Sequence, residues 1–415
     1  MAHKTQIING IAWVGQATAS GEIGRMQNAG KIFMSITLSP GHPIRYLNIR
    51  KDQLRTALRV CLLLSGLPLF LGACDRRNAA PAAPMTPPAP YVDRPVGRPD
   101  EVRLLAFGDW GMLTTRSNRD RLTVANAMSH YLAQNPADAA LLLGDNFYIR
   151  LKDADDPLIQ ELFEKTYDVA HFNFPFYAAL GNHDYSTGNA ALEYIYPRRH
   201  PETRWHFPAR WYRLDFPTAA NPLATILMLD SNRQSLSDAD WHEELAWIKQ
   251  ELSKPRGQWT ICCGHHTMFS NGAHSDNGVL QTDWGSLFQQ QHVDFYVCGH
   301  DHTLQHLEIP NWSTSFVISG GGAGKRRPML RDDRGPFSAA QTGFTYIRLT
   351  PEMADVRILD SKENLLHEFT RDAHGSVKIL ANTASEKATK FKLRVIQGID
   401  SATSRPTTEP ANGGR

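Results

Sequence analysis

The sequence has little of three features that would each indicate a particular class of protein. Its 44 lysines and arginines nearly balance 42 aspartates and glutamates, and the net charge of +2 gives no reason to expect nucleic acid as a partner. Its five cysteines are few and odd in number, which argues against a disulfide-stabilised scaffold. Its apolar run from Val60 to Ala73 is shorter than the roughly 20 residues that a membrane-spanning helix needs.

Two catalytic motifs are incomplete in this chain. The segment Gly320–Lys325 resembles a phosphate-binding loop, but Ser319 and Arg326 stand where that motif requires glycine and then serine or threonine. We therefore expect a turn there, with Lys325 to Arg327 as solvated charges. The histidine spacing of zinc metalloproteases, with its glutamate, is absent from the sequence. Nucleotide binding and metalloprotease chemistry have no consistent support.

The sequence does contain five short clusters of possible metal ligands. Each follows an apolar run of strand length without alternation, which is typical of strands buried on both faces. Because ligands bind at the carboxyl ends of such strands, the pattern predicts an α/β protein with its site at one edge of the sheets. The clusters are Phe107–Gly111, Gly144–Tyr148, Gly181–Asp184, Gly264–His266 and Gly299–His302.

The chemistry of these side chains predicts two metal ions of different charge. Asp109, Asp145 and Tyr148 could supply anionic oxygens, and a tyrosine with an ordinary pKa near ~10 binds as a phenolate only beside a strong Lewis acid such as Fe(III). Asp145 lies between the two ligand sets and is the natural bridge. Neutral donors suit a divalent ion such as iron, zinc or manganese, and these donors are Asn182, His265, His300 and His302.

The clusters resemble those of the calcineurin-like metallophosphoesterase superfamily, and more narrowly those of purple acid phosphatases of the tartrate-resistant type. The superfamily commonly has Asp-x-His in its first motif, whereas here Trp110-Gly111 follow Asp109 and Tyr148 takes the place of the histidine. The resemblance covers residues 102–371. It implies a four-layer α/β/β/α sandwich of two mixed β-sheets flanked by helices, the metallophosphoesterase fold.

The resemblance also implies which residues hold each ion. It assigns the Fe(III) ion to Asp109, Asp145, Tyr148 and His302. It assigns the divalent ion to Asp145, Asn182, His265 and His300. In this pattern Asn182 also lies next to the bound substrate.

Further residues near the clusters are candidates for catalysis and substrate binding. The resemblance implies that His183 contacts the substrate phosphate and that His274 protonates the leaving group, although either could be an orienting or exposed loop histidine. His266 stands where the small mammalian members have a Tyr-Pro pair, and it is either a substrate-binding or an ordinary loop residue. Asp184 and Asp301 are expected to support neighbouring ligands rather than to bind metal.

The rest of the chain divides into four segments. Residues 1–44 are predicted to be a misassigned or disordered leader without a fold, and residues 45–74 resemble a lipoprotein signal peptide that ends at a lipidated Cys74. A plain cleaved signal peptide is the alternative. Residues 75–100 read as a proline- and alanine-rich tether, residues 101–371 as the catalytic domain, and residues 372–415 as a weakly structured tail.

Together these features predict an exported, lipid-anchored binuclear acid phosphatase that hydrolyses phosphomonoesters by attack of a metal-bound hydroxide. Its substrates would be small phosphomonoesters or phosphoproteins, and it would be located in the periplasm or at the cell surface. We expect it to be a monomer and to bind no nucleic acid. A phosphodiesterase or pyrophosphatase with the same site is one alternative. An iron redox protein that generates radicals is a second, and a binding module with a vestigial metal site is a third.

Overall fold

The computed structural model describes strand segments between residues 3 and 49, and then residues 98, 100–324, 327–331 and 333–382. The chain divides into two compact units, Met1–Pro81 and Ala82–Arg415.

The first unit contains an antiparallel sheet in which consecutive strands pair. These strands correct the expectation that residues 1–44 have no fold. The register pairs Ile8 of β1 with Ile11 of β2. The strands are β1 (His3–Ile8), β2 (Ile11–Thr18), β3 (Gly21–Asn28), β4 (Lys31–Ile36) and β5 (Tyr46–Ile49).

Several predictions for the front of the chain lie outside the described residues. These are the apolar run of the signal peptide, the lipidation of Cys74 and nearly all of the tether. Among the residues that the structure describes, no helix has the length and hydropathy needed to cross a membrane.

The second unit alternates strands with helices over most of its length. Its helices are α1 (Thr115–Leu132), α2 (Pro157–Ile159, continued by a π-helical turn over Gln160–Glu164), α3 (Asn182–Ser186), α4 (Ala190–Arg199), α5 (Asp238–Ser253), α6 (Gly278–Asp283) and α7 (Gly285–Gln290). Its strands are β6 (Val102–Phe107), β7 (Ala139–Leu143), β8 (Phe176–Ala179), β9 (Trp205–His206), β10 (Tyr212–Phe216), β11 (Ala224–Met228), β12 (Trp259–Cys263), β13 (Phe295–Cys298), β14 (Leu304–Glu308), β15 (Ser315–Ser319), β16 (Phe337–Ala339), β17 (Gly343–Leu349), β18 (Met353–Asp360), β19 (Leu365–Asp372) and β20 (Val377–Asn382).

The strands of this unit form two mixed sheets. One sheet has the order β20-β19-β18-β17-β6-β7-β8-β9, and its β6 to β9 run parallel to one another. The other has the order β10-β11-β12-β13-β15-β14-β16, with β11, β12, β13 and β15 parallel. The parallel parts place the carboxyl ends of neighbouring strands at the same edge of each sheet.

The two sheets pack face to face, with helices on their outer faces. Across the interface the rings of Phe295 and Phe369 lie 6.4 Å apart, and the rings of Tyr177 and Phe216 lie 6.0 Å apart. The outer layers are α1, which packs on the first sheet, and α5 to α7, whose apolar side chains cluster with the outer face of the second sheet. This arrangement confirms the predicted four-layer sandwich.

The strand residues follow the predicted burial. Strands β7, β8 and β12 are buried along their whole length, as expected for strands covered on both faces. Cys262, Cys263 and Cys298 are buried and unpaired, so they serve as small apolar packing groups.

One boundary differs from the sequence-based expectations. The catalytic unit does not end at residue 371, because β20 adds a further edge strand to β19. Alternate residues of β20 are exposed, and such a half-buried edge strand gives only a weak apolar signal.

Candidate metal centre

The five ligand clusters lie on loops at the carboxyl ends of five strands. β6, β7 and β8 are neighbours in one sheet, and β12 and β13 are neighbours in the other. The structure brings together all seven predicted metal ligands, four that follow strands of the first sheet and three that follow strands of the second, at the edge where the sheets meet. This convergence follows from the parallel strand order, because the exits of adjacent parallel strands lie side by side.

The first group of donor atoms surrounds the hydroxyl of Tyr148. That hydroxyl donates to Asp109 Oδ1 at 3.2 Å and lies 3.1 Å from His302 Nε2. His302 Nε2 lies 3.4 Å from Asp109 Oδ1. Ligand atoms of Asp109, Asp145 and His302 all fall within 4.8 Å of one another, so this buried group could hold a metal ion.

The second group is centred on Nε2 of His265. This atom lies 3.1 Å from Asn182 Oδ1 and 3.1 Å from His300 Nδ1. It also lies 3.4 Å from Asp145 Oδ1, so Asp145 belongs to both groups. The position of Asp145 is therefore the one that a bridging carboxylate requires.

The donor set fits a pair of metal ions. Ligands at about 2.0–2.2 Å from one ion lie roughly 3 Å from each other, which is the spacing seen here. Nδ1 of His265 is directed at the Leu143 carbonyl oxygen, 2.9 Å away, so this nitrogen carries the proton and Nε2 presents a lone pair. That nitrogen faces the side-chain oxygen of Asn182 and the Oδ1 atom of Asp145, an arrangement in which a metal ion, or a proton in its absence, would be shared.

The pKa values of the site support the same conclusion. Burial, and then the carboxylates of Asp109 and Asp145, raise the pKa of Tyr148 well above its ordinary value, so a phenolate there needs a strong cation. Burial alone would raise the pKa of Asp109, but nearby His302 and His265 outweigh it and lower that pKa. Burial and the neighbouring His265 lower the pKa of His300, which keeps its imidazole in the neutral form that binds metal.

The backbone turns sharply where it presents these ligands. Asp109, Asp145 and His300 have positive φ angles of 62°, 54° and 69°, a conformation uncommon for residues other than glycine. Gly181 packs so closely on the Asp145 loop that a Cβ atom would lie 2.2 Å from Asp145 Oδ1. Strained backbone and close loop packing of this kind are characteristic of functional sites.

Asp184 supports the ligand loops, as the sequence predicted. Its carboxylate is buried and accepts backbone N–H groups from Gly181 at 2.8 Å, Phe147 at 2.8 Å and Asn146 at 3.2 Å. These contacts tie the loop that carries Asp145 and Tyr148 to the loop that carries Asn182.

The three remaining candidate histidines also lie at the site. The His183 ring lies 4.2 Å from the Tyr148 ring, and its backbone N–H donates to Asp145 Oδ1 at 2.8 Å. The rings of His266 and His274 lie 4.5 Å and 4.0 Å from that of His300. Cys74, the predicted lipidation site, is outside the described residues.

His266 has a defined hydrogen-bonding state. Ser231 Oγ accepts the backbone N–H groups of His265 at 3.0 Å and His266 at 2.8 Å, so its own proton is directed to His266 Nδ1, 2.9 Å away. Burial, and then the neighbouring His265, lower the pKa of His266 to about 3. A neutral His266 with an occupied Nδ1 carries its proton on Nε2, where it can donate a hydrogen bond.

Two contributors were missed by the sequence analysis. Ser231 follows β11 by three residues, at a further strand exit, but it belongs to no cluster of possible metal ligands. Arg327, expected to be a solvated charge, is only half exposed, and its charge acts on both His274 and His302. No local pattern in the sequence indicates that Arg327 faces the metal centre.

Comparison with known proteins identifies relatives of this chain. The sequence model of the calcineurin-like phosphoesterase family matches residues 102–304. The chain is similar to tartrate-resistant acid phosphatase type 5 of Sus scrofa, with 30% identity over 288 residues, which span 63% of this chain and 84% of that relative. The family match over residues 102–304 covers every ligand cluster.

Solved structures share the fold. GAP50, described as the anchor in the inner membrane complex of Plasmodium, superposes with a TM-score of 0.57 at 20% identity over 65% of this chain and 88% of its own. Purple acid phosphatase PPD1 from yellow lupin (Lupinus luteus) seeds superposes with a TM-score of 0.53 at 14% identity, over 84% of this chain and 59% of its own. At these identities the likeness establishes the architecture alone.

Proposed function

The chain belongs to the purple acid phosphatase branch of the calcineurin-like phosphoesterase family, and on that premise we propose that it is a binuclear acid phosphatase that hydrolyses phosphomonoesters. The observation that carries this proposal is the convergence of seven donor side chains into two overlapping groups that share Asp145. A non-catalytic binding protein would have no need to retain the complete set.

Each donor group suits a different ion. Asp109, Tyr148, His302 and Asp145 would hold Fe(III), since they offer three anionic oxygens. Asp145, Asn182, His265 and His300 would hold a divalent iron, zinc or manganese ion. When bound, the two ions supply an activated water nucleophile and offset the charge of the phosphoryl group.

The surrounding histidines would bind the substrate and move a proton. The His183 imidazole, whose ring lies 4.2 Å from that of Tyr148, would donate a hydrogen bond to a phosphate oxygen. His266, beside His300 of the second donor group, would donate a second hydrogen bond to the phosphate from its neutral Nε2–H. His274, beside His300, would protonate the oxygen of the departing alcohol, a role that typically contributes about 10²–10⁴-fold in rate.

The activity test uses the full chain and a panel of phosphate esters. We expect hydrolysis of alkyl and aryl phosphomonoesters, strongest at acidic pH, with loss of activity on chelation and recovery on adding metal. A preference for diesters or pyrophosphate over monoesters would identify the alternative hydrolases of the same site. Peroxide-dependent dye oxidation faster than any hydrolysis would point instead to redox chemistry.

The export and lipid anchoring of the chain are part of the same proposal. Their support is the basic and apolar segment that ends Leu71-Gly-Ala-Cys74, followed by the proline- and alanine-rich tether. Cys74→Ser should release the protein from the membrane fraction and abolish labelling by a fatty acid. Unchanged membrane association of this variant would reject the anchor. The protein itself would act as a monomer on small phosphomonoesters or phosphoproteins.

A further inference from the structure

Asp301 lies between two metal-ligand candidates but directs its side chain away from them. It is fully buried, and both carboxylate oxygens are occupied by the loop of residues 270–276, called here the His274 loop. Oδ1 accepts the backbone N–H of His274 itself at 3.1 Å. Oδ2 accepts the hydroxyl of Ser270. Asp301 therefore joins the loop that carries His274 to the segment that carries His300 and His302.

The loop is packed closely around this carboxylate. A Cβ atom on Gly272 would lie 2.6 Å from Asp301 Oδ2, so the turn leaves no room for a side chain there. Ser270 Oγ, while donating to Asp301, accepts the Gly272 backbone N–H at 2.9 Å and the Gln305 amide at 3.0 Å. These bonds fold the chain into a turn around Asp301.

Other anchors hold the flanks of the loop rather than His274. Gln305 Oε1 accepts the Asn271 backbone N–H at 2.9 Å. The Arg334 guanidinium donates to both carboxylate oxygens of Asp276, at 2.9 and 2.8 Å, and to the Ser270 carbonyl oxygen. Of these polar anchors, Asp301 bonds the backbone of His274 directly. The His274 ring then lies 4.0 Å from the His300 ring.

We propose that Asp301 is the positioning residue of His274, which it holds at a fixed place relative to the metal-ligand segment so that the imidazole can reach the leaving group. The inference rests on the proposed phosphatase function and on the role of His274 in it. A proton donor must be within hydrogen-bond reach of the oxygen that it protonates. A misplacement of only about 1 Å can cost on the order of 10²-fold in rate.

The test compares substrates that do and do not need a proton donor. Asp301→Ala removes both anchors and should lower kcat for alkyl phosphates by about 10- to 10²-fold. It should lower kcat for an aryl phosphate with a nitrophenolate leaving group by less than about threefold, because that group departs without full protonation. Asp301→Asn, whose amide oxygen can still accept the His274 N–H, should restore most of the alkyl phosphate activity.

A double-mutant cycle separates this role from a general effect on the fold. In a His274→Ala background, Asp301→Ala should cost less than about twofold further in kcat on alkyl phosphates, because the group that it positions is gone. Asp333→Asn, an exposed aspartate paired with Arg331, is the matched control and should leave both substrates unaffected. Metal content is measured for every variant. If Asp301→Ala loses metal or fails to fold, Ser270→Ala takes its place. It removes the hydroxyl that bonds Asp301 and is compared with the wild type on the same alkyl and aryl phosphates.

Two results would overturn the inference while leaving the phosphatase proposal intact. One is an equal loss on alkyl and aryl phosphates in Asp301→Ala protein that keeps its metal. The other is a full further loss in the His274→Ala background. Failure of the unmodified chain to hydrolyse either ester would instead reject the phosphatase proposal itself.

Discussion

His265 donates its Nδ1 proton to the backbone carbonyl oxygen of Leu143. His265 follows β12 of one sheet, and Leu143 is the last residue of β7 in the other. The bond is 2.9 Å long and is fully buried. It fixes the ring so that Nε2 faces Asn182 and His300, each 3.1 Å away. The contact between the two sheets thus also orients the donor at the centre of the second ligand group.

Removal of metal should lower the stability of the protein. Bound ions would be held by the facing atoms of His265, Asn182 and His300, and an ion that binds the folded chain but not the unfolded one stabilises the fold. Ligand present at about 10³ times its dissociation constant stabilises the folded state by about 4 kcal/mol. We expect chelation to lower the Tm and metal to restore it. The Asp145→Asn variant should lose activity, and chelation should change its Tm less than it changes that of the wild type. Near-normal activity of this variant after metal removal would refute the binuclear mechanism.

Replacement of His274 by alanine should act selectively on poor leaving groups. The expected loss in kcat is about 10²–10⁴-fold for alkyl phosphates and much smaller for aryl phosphates that release a stable phenolate. Steady-state kinetics on a series of esters with graded leaving groups measures the difference. Parallel losses across the series would show that His274 is not the proton donor.

A methyl group at position 181 should displace the bridging carboxylate. The Cβ of Gly181→Ala would lie 2.2 Å from Asp145 Oδ1 and 2.2 Å from the Asp145 backbone nitrogen, so the ligand loop must shift. Overpacking of this kind typically costs about 1–3 kcal/mol, and here metal affinity should fall with stability. Gly278→Ala is the matched control, because its Cβ would have no neighbour within 4 Å. Normal metal content in the Gly181 variant would contradict the expectation.

The buried Glu244 should make stability depend on pH. Its Oε1 accepts the Asp230 backbone N–H at 2.7 Å, and its Oε2 has no hydrogen-bond partner among the described residues. Burial, and then the charge of Asp230, raise the pKa of Glu244 well above its ordinary value near 4.5. The folded protein keeps this proton while the unfolded chain releases it. The stabilisation is therefore complete at acid pH and falls by about 1.4 kcal/mol per pH unit as the pH rises towards the folded pKa.

Glu244→Gln, which cannot ionise, should flatten that dependence between about pH 5 and pH 8. Urea unfolding at several pH values measures the slope for the wild type, for this variant and for the exposed neighbour Glu243→Gln, which should keep the wild-type slope. A Glu244 variant with an unchanged slope would contradict the assignment of the raised pKa to this group.

Arg327 should contribute to substrate capture through its charge. Its positive charge acts on His274 and His302, so an approaching phosphate dianion meets it near the metal centre. We expect Arg327→Gln to raise the KM several-fold and to weaken the dependence of kcat/KM on salt, with little change in kcat. Arg331→Gln is the control. It removes an exposed ion pair between Arg331 and Asp333 and should leave the KM unchanged. Equal KM values for the two variants would show that Arg327 does not face the substrate.

Much of the fold followed from the sequence because its strands are short, continuous apolar runs. The strands that precede three of the ligand clusters are Val102–Phe107, Ala139–Leu143 and Trp259–Cys263. The ligand clusters follow these strands directly, so the parallel order of the strands was enough to bring the clusters together. The sequence did not predict the N-terminal strands, because residues 1–44 lie ahead of a segment that resembles a signal peptide.

The contributions of Ser231 and Arg327 could not be predicted because they arise from tertiary contacts. Ser231 acts by receiving two backbone N–H groups from another strand exit, and this has no local sequence pattern. The segment near Arg327 is placed partly by Leu330, whose backbone N–H bonds the Asn271 carbonyl oxygen. Such contacts between loops depend on the completed fold.

The visible absorption spectrum of the purified chain, recorded with its metal content, tests the central claim most directly. A phenolate from Tyr148 on Fe(III) gives a charge-transfer band, so we expect a purple or pink protein that contains iron and loses its colour on Tyr148→Phe substitution. An active, colourless protein that contains neither iron nor any other transition metal would contradict the account.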